Sequence, residues 1–239
     1  MTEKRVALVT GTSRGIGAEL ACRLAADGFH VILAARTEAG LIETEERIFA
    51  AGGTATIVPI DLARGEEIDR LAAVVAERFG QLDLLVLNAA TLGVLSPLAH
   101  ATPKEFESVI QLNLVAQWRL LRNFDSMLRR AGGTVVAVTS SVGSRPHAYW
   151  GAYSISKAGL ENMAALYAEE MRNLGVKVLL VDPGRTRTAM RARAYPGEDP
   201  NGLKTPDLVA SAVAEALSRL GAGLSRLTID PDGEARLAA

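Results

Sequence analysis

A single cysteine, Cys22, leaves this 239-residue chain without a partner for an internal disulfide, which accords with a reducing, cytoplasmic setting. Neither charge is in excess. The 26 Lys and Arg meet 27 Asp and Glu, so no basic surplus points to nucleic acid. Long apolar runs are also missing. The charged opening Met1 to Arg5 is followed only by Val6 to Val9, too short for a secretion signal, and nothing later approaches a membrane span. Repeats, low-complexity tracts and linkers do not occur, and no metal-ligand set is assigned. What is present is 49% hydrophobic residues, enough for a large core, and 22% charged residues to solvate its outside, in one large or two small domains.

The apolar residues fall into alternating strand and helix patterns. Strands are predicted at Val6–Val9, His30–Ala35, Ala55–Ile60, Leu82–Leu87, Thr134–Thr139, Val176–Val181 and Leu227–Ile229. They are continuous rather than alternating runs, which implies burial on both faces and a parallel sheet. Between them the spacing predicts helices over 16–26, 38–51, 65–79, 152–173 and 206–220, and a long one from Pro103 to about Arg130. Thr102-Pro103-Lys104-Glu105 carries an N-cap Thr, a Pro at the first helical position and a Glu two residues on. Residues 183–205, rich in Pro, Gly and Arg, read as a loop or lid. The regular alternation predicts one doubly wound α/β domain spanning 1–239.

Two stretches carry chemistry. In the first, Tyr153 and Lys157 lie four apart on a helix and project from one face. A free phenol titrates near about 10, and an adjacent ammonium favours the phenolate and lowers that value. The pair therefore reads as a proton donor and acceptor, with a hydroxyl from Ser140 or Ser141 to hold the oxygen being protonated. The bland alternative is a surface Lys beside a packing Tyr. In the second stretch, Thr10-Gly11-Thr12-Ser13-Arg14-Gly15-Ile16-Gly17 joins a strand to a helix, the context in which glycines let a backbone approach a pyrophosphate. Arg36 ends the second strand, where an NAD site would place an acid for the ribose hydroxyl. With Arg14 it suits a 2′-phosphate, which favours NADP(H) over NAD(H). Asp61, followed by Leu62, ends the third strand and could accept from the adenine amino group or cap a helix.

Thr10-Gly11-x-x-x-Gly15-x-Gly17, Asn88-Ala89, Asn113, Ser140, Tyr153-x-x-x-Lys157 and Pro183-Gly184 occur in one order, and together they resemble the short-chain dehydrogenase/reductase family over residues 5 to about 190. The resemblance implies a Rossmann-like, seven-stranded parallel sheet of order 3-2-1-4-5-6-7 and a homodimer or homotetramer formed through helices 103–130 and 152–173. It also implies hydride transfer between a nicotinamide and a small carbonyl or alcohol substrate. Carried over by position, Tyr153 is the general acid/base, and Lys157 lowers its pKa and holds the nicotinamide ribose. Ser140 orients the substrate oxygen, with Ser141 as runner-up, and Asn113 kinks its helix and holds a relay water. The cofactor contacts implied are Gly11, Ser13, Arg14, Gly15, Ile16, Gly17, Arg36, Asp61, Leu62, Asn88, Ala89, Ala90, Tyr153, Lys157, Pro183, Gly184, Thr186 and Thr188. Three departures stand out: Ala90 where the family often has Gly, Asp182 where it usually has Asn, and no clear Gly-Gly segment in Asp230-Pro231-Asp232-Gly233.

Neighbourhood to these motifs places Thr91, Leu92, His147, Trp150, Arg185 and Met190 at the substrate end. Trp150 reads as an apolar wall or a dimer contact. Arg185, Arg187, Arg191 and Arg193 read as an acid-attracting patch or a solvated loop face. Besides the oxidoreductase, two functions fit: a lyase or epimerase that keeps its cofactor, and a non-catalytic nucleotide sensor or structural subunit.

Overall fold

β1 (Val6–Thr10) is buried at every position, and its side chains alternate between two packed layers. Leu8 joins one core with Ile32, Leu85 and Leu87, while Ala7 and Val9 join another with Val31, Leu33 and Val86. A strand apolar on both faces must be covered on both, and the helices supply that cover. The structure is a computed structural model in which residues 4–238 are described; part of the charged opening Met1 to Arg5 thus lies outside the described residues.

On one face lie α1 (Gly15–Ala26), α2 (Glu38–Ala50) and α9 (Pro206–Leu217), anchored by Leu20, Leu24, Leu41, Ile48, Val209 and Val213. The other carries α3 (Gly65–Phe79), α5 (Ala116–Ala131) and α7 (Gly151–Met171), through Ile68, Val75, Leu120, Phe124, Leu160 and Ala164. The sheet between them comprises β1, β2 (His30–Ala35), β3 (Thr54–Pro59), β4 (Leu84–Leu87), β5 (Thr134–Val138), β6 (Lys177–Asp182), β7 (Gly223–Ile229) and β8 (Ala235–Ala238). Their order is β3-β2-β1-β4-β5-β6-β7-β8. β2 and β4 flank β1, so the chain switches direction across the sheet there, and a crevice opens at the carboxyl ends of these strands.

Three features differ from the sequence expectation. The sheet has an eighth strand, antiparallel to β7. Asp230-Pro231-Asp232-Gly233 is a hairpin turn: Gly233 adopts φ 89°, and the Asp230 carboxylate accepts from the N–H groups of Asp232 and Glu234. β7 begins at Gly223, earlier than expected, because its burial alternates as suits a strand near the sheet edge. Residues 183–205 are ordered locally by α8 (Ala189–Ala194), a short helical turn at Pro200–Gly202 and a bridge between Thr186 and Lys204. The long helix is broken at Asn113, where the resemblance implied a kink: a π-helical turn, Gln111–Val115, separates α4 (Pro103–Ile110) from α5. The start of α4 is as the sequence indicates, a capping box in which Thr102 and Glu105 each accept from the other's backbone N–H. Among the described residues, no helix is long and apolar enough to cross a membrane, and no group of three metal-binding side chains assembles.

Candidate active site and nucleotide crevice

The glycine turn sits at the mouth of the crevice, and its three glycines answer different needs. Gly11 (φ 74°) and Gly15 (φ 63°) adopt left-handed backbone. Gly17 is required by packing, since a Cβ there would lie 2.3 Å from the Gly11 carbonyl oxygen and 2.5 Å from Asn88 Nδ2. The turn is pinned from below by the Thr10 hydroxyl, which donates to Val86 O and accepts from the N–H groups of Asn88 and Ala89. Asn88 spends its amide on Thr10 O at 2.8 Å. α1 begins here with Arg14 as its N-cap and no side-chain capping bond, so its first-turn N–H groups are left for an anion. The Thr12 hydroxyl is buried and unpaired. Ile16 is half-buried, and across the opening Thr188 Cγ2 stands 3.6 Å from where a Gly15 Cβ would be.

Arg14 and Arg36 are both exposed at the rim. Asp61 caps the turn ahead of α3, its carboxylate accepting from Ala63 N at 3.1 Å; Arg64, not Asp61, is the N-cap of α3. Leu62 is buried in the core behind it. At the end of β6, Asp182 accepts from Gly184 N, and Thr186 donates its hydroxyl to Pro183 O at 3.0 Å, within its own turn.

β5 ends at Val138, Ser140 two residues on is the N-cap of α6 (Ser141–Ser144), and α7 brings Tyr153 and Lys157 beneath it. Ser140, not the exposed Ser141, lies close enough to the phenol to favour its ionised form. Tyr153 and Lys157 are 7% and 3% exposed, so the surface-pair alternative does not hold. The expected electrostatics are not met, however. Burial pushes the Tyr153 phenol up to about 12, against the lowering influence of Ser140, and Asp182 adds to the rise. The Lys157 ammonium donates to Val138 O at 2.7 Å and sits 5.8 Å from the centroid of the Tyr153 ring.

Lys157 itself is pulled from 10.5 to about 8 by burial, opposed by the Glu161 charge. Its folded-state pKa lies below the unfolded one, so between about pH 8 and 10.5 the unfolded chain holds more protons and stability rises with pH. At neutral pH the buried cation costs on the order of 3 kcal/mol. Lys157→Met removes that cost and strands Val138 O, a loss of about 1 kcal/mol. The variant is expected to unfold at a higher urea midpoint at pH 7 than the parent, with the gap closing above pH 10. A lower midpoint at pH 7 contradicts this.

Asn113 completes the cluster from the π turn. Its amide donates to Thr91 O (2.9 Å) and Ser156 Oγ (3.0 Å), and its oxygen accepts from Thr91 N (2.8 Å). Gln117, one turn on, donates to Leu112 O and Ala89 O and so braces the π turn against the β4 loop.

At the substrate end Leu92 is buried with Val142 and Tyr153, and Trp150 and Met190 pack against them. Trp150 meets the Tyr153 ring edge-on at 5.7 Å. His147 and Arg185 are exposed, and Ala90 and Thr91 are half-buried along the β4 loop. Several contributors escaped sequence reasoning. Ser156 takes the Asn113 amide. Glu161 accepts from Thr139 and pairs with Arg226 at 3.0 Å. Buried Lys204 donates to the Ile229 and Asp230 carbonyls and ties the 183–187 segment to the hairpin. The spacing of Glu161, one turn beyond Lys157, was the one available signal; the others join segments far apart in sequence.

The family model described as short chain dehydrogenase matches residues 5–199. The chain is 37% identical over 206 residues to the uncharacterized oxidoreductase YciK of Escherichia coli strain K12, covering 84% of this chain and 81% of that protein. It is 32% identical to the ketoacyl reductase HetN of Nostoc sp., covering 91% and 76%. A short chain dehydrogenase of Shigella flexneri 2a, solved in complex with NADP, superposes with a TM-score of 0.86 at 34% identity, covering 95% of this chain and 97% of that one.

Proposed function

The chain belongs to the short chain dehydrogenase family, and from that premise we propose that it is an NADP(H)-dependent oxidoreductase interconverting a carbonyl and a secondary alcohol, with Tyr153 as general acid and base. The observation that carries this reading is the convergence of Ser140, Tyr153, Lys157 and the Asn113 turn at the crevice bordered by the glycine turn. The unpaired Thr12 hydroxyl, the uncapped first turn of α1 and the positive-φ glycines fit a pyrophosphate. When bound, the nicotinamide supplies or accepts the hydride. Tyr153 gives its phenolic proton to the carbonyl oxygen, which the Ser140 hydroxyl holds, and Lys157 keeps a positive charge beside that proton.

NADP(H) is favoured by exposed Arg14 and Arg36 at the rim and by NADP in the Shigella structure. Arg36→Asp removes the 2′-phosphate partner and offers a carboxylate to a ribose hydroxyl. It is expected to raise the Kd for NADPH by about 10- to 100-fold while leaving or improving NADH binding. Fluorescence titration of both cofactors reads this directly, and unchanged NADPH affinity would remove Arg36 from the site.

The reaction itself is tested by following reduced-nicotinamide absorbance with a panel of ketones and aldehydes. Net consumption supports hydride transfer to substrate. NADPH binding without net consumption, but with product formed, supports a lyase or epimerase that regenerates its cofactor. Absence of NADPH binding sinks the reading. Assembly into a homodimer or homotetramer belongs to the same proposal. It is supported by Val115, Trp118, Ile155 and Leu166 exposed on α5, on α7 and on the turn between α4 and α5, which packs on α7, and light scattering tests it.

A further inference from the structure

The lid places an apolar, aromatic surface over the catalytic phenol and neutralises its own charge while doing so. Leu92 from the β4 loop, Val142 from α6 and Tyr153 from α7 form a core separate from the two sheet cores, and Met190 and Ala194 of α8 close on it. Trp150 stands edge-on to Tyr153, with Tyr195, at the end of α8, 5.9 Å away and the exposed His147 on its outer side at 6.3 Å. Tyr195 is held by Arg191, whose guanidinium lies 3.7 Å from the ring centroid. Arg191 makes two bonds of 2.5 Å to Glu198, with side chains 18% and 24% exposed, so its charge is spent inside the lid. Arg193 reaches to Gly93 O at 3.3 Å, which ties the lid to the β4 loop. Two of the four arginines that might have recruited an acidic substrate are therefore structural, and the surface they position beside the phenol is hydrocarbon and ring edge.

Resting on the oxidoreductase reading above, we propose that the substrate is an uncharged ketone or aldehyde whose carbonyl bears a planar or bulky apolar group, packed against Trp150 and Tyr195 under α8. A carboxylate pressed against the Trp150–Tyr195 wall would lose its water to hydrocarbon and ring edge, whereas an aryl group meets ring edges that favour it. Trp150 and Tyr195 set specificity, and Arg191–Glu198 positions them.

The test uses the full chain with NADPH and three ketones: an aryl alkyl ketone, a small aliphatic methyl ketone, and the aryl ketone carrying a ring carboxylate. The expected order of kcat/KM is aryl ketone first, by about tenfold or more over each of the others. In Trp150→Ala the aryl-to-aliphatic ratio is expected to fall toward one, and Trp150→Phe, which keeps a ring, restores most of it. NADPH titration of each variant verifies that the cofactor site has survived. Preference for the carboxylated ketone overturns the proposal, as does an equal loss on all substrates in Trp150→Ala. If NADPH binds and no carbonyl in the set or the wider panel is turned over, the oxidoreductase reading falls and takes this one with it. Turnover with the wrong ranking sinks the substrate class alone.

Discussion

Tyr153→Phe is expected to lower kcat for carbonyl reduction by about 100- to 10,000-fold while the Kd for NADPH changes by less than about threefold. The substitution removes one oxygen from a ring that is 7% exposed and packed on Trp150, so shape and burial survive. What is lost is the phenolic proton beside Ser140. The pH dependence has a definite sign. A phenol pushed up to about 12 remains protonated throughout the physiological range, and Lys157 at about 8 is charged below that value. Reduction, which needs the phenol protonated and the ammonium present, should hold steady below pH 8 and decline above it. Oxidation needs the phenolate and is disfavoured until the pH climbs much higher. The parent enzyme therefore favours reduction at neutral pH, and stopped assays in both directions across pH 6–10 check this. Retention of full activity in Tyr153→Phe would falsify the role.

How much of this was legible in the sequence depends on whether the determining contacts are local. Every motif at a strand's carboxyl end could be read, because apolar runs of four to six residues end abruptly in Gly, Asp, Asn or Ser. The α4 capping box was legible for the same reason: its three signals lie within four residues. The break at Asn113 was legible only through the family resemblance, because nothing local distinguishes Gln111–Val115 from the helix around it. It is held instead by bonds to Thr91 and Ser156, 22 and 43 residues away. The eighth strand had a local signal in Pro231-Asp232-Gly233, but its four residues have little apolar period to mark a strand. The largest misreading was electrostatic. Tyr153 and Lys157 were correctly placed on one helix face, yet burial, which spacing cannot reveal, is the largest influence on the phenol and raises it. Asp182, noted in the sequence only as a departure, proves close enough to both Tyr153 and Lys204 to act on them.

Gly17→Ala should be the most damaging single methyl addition in the glycine turn. The new Cβ would lie 2.3 Å from Gly11 O, 2.9 Å from the Gly11 carbonyl carbon and 2.5 Å from Asn88 Nδ2. Two of those atoms are backbone, so no rotamer change relieves the contact. Either the turn separates from α1 or Asn88 releases Thr10 O, and with it the junction between β1 and β4 loosens. Overpacking of this kind costs about 3 kcal/mol or more when backbone has to move. Gly28→Ala provides the reference: Gly28 has φ 90° but nothing within 4 Å, so its cost is the left-handed backbone alone, about 1–2 kcal/mol. Gly15→Ala lies near that reference in stability, since Thr188 Cγ2 at 3.6 Å is ordinary contact. Urea unfolding should therefore rank Gly17→Ala well below Gly15→Ala and Gly28→Ala. NADPH titration should find binding abolished in Gly17→Ala and intact in Gly28→Ala, which lies at the far end of α1. If Gly17→Ala matches Gly28→Ala in stability and still binds NADPH, the close packing of this turn is not what holds the crevice in shape.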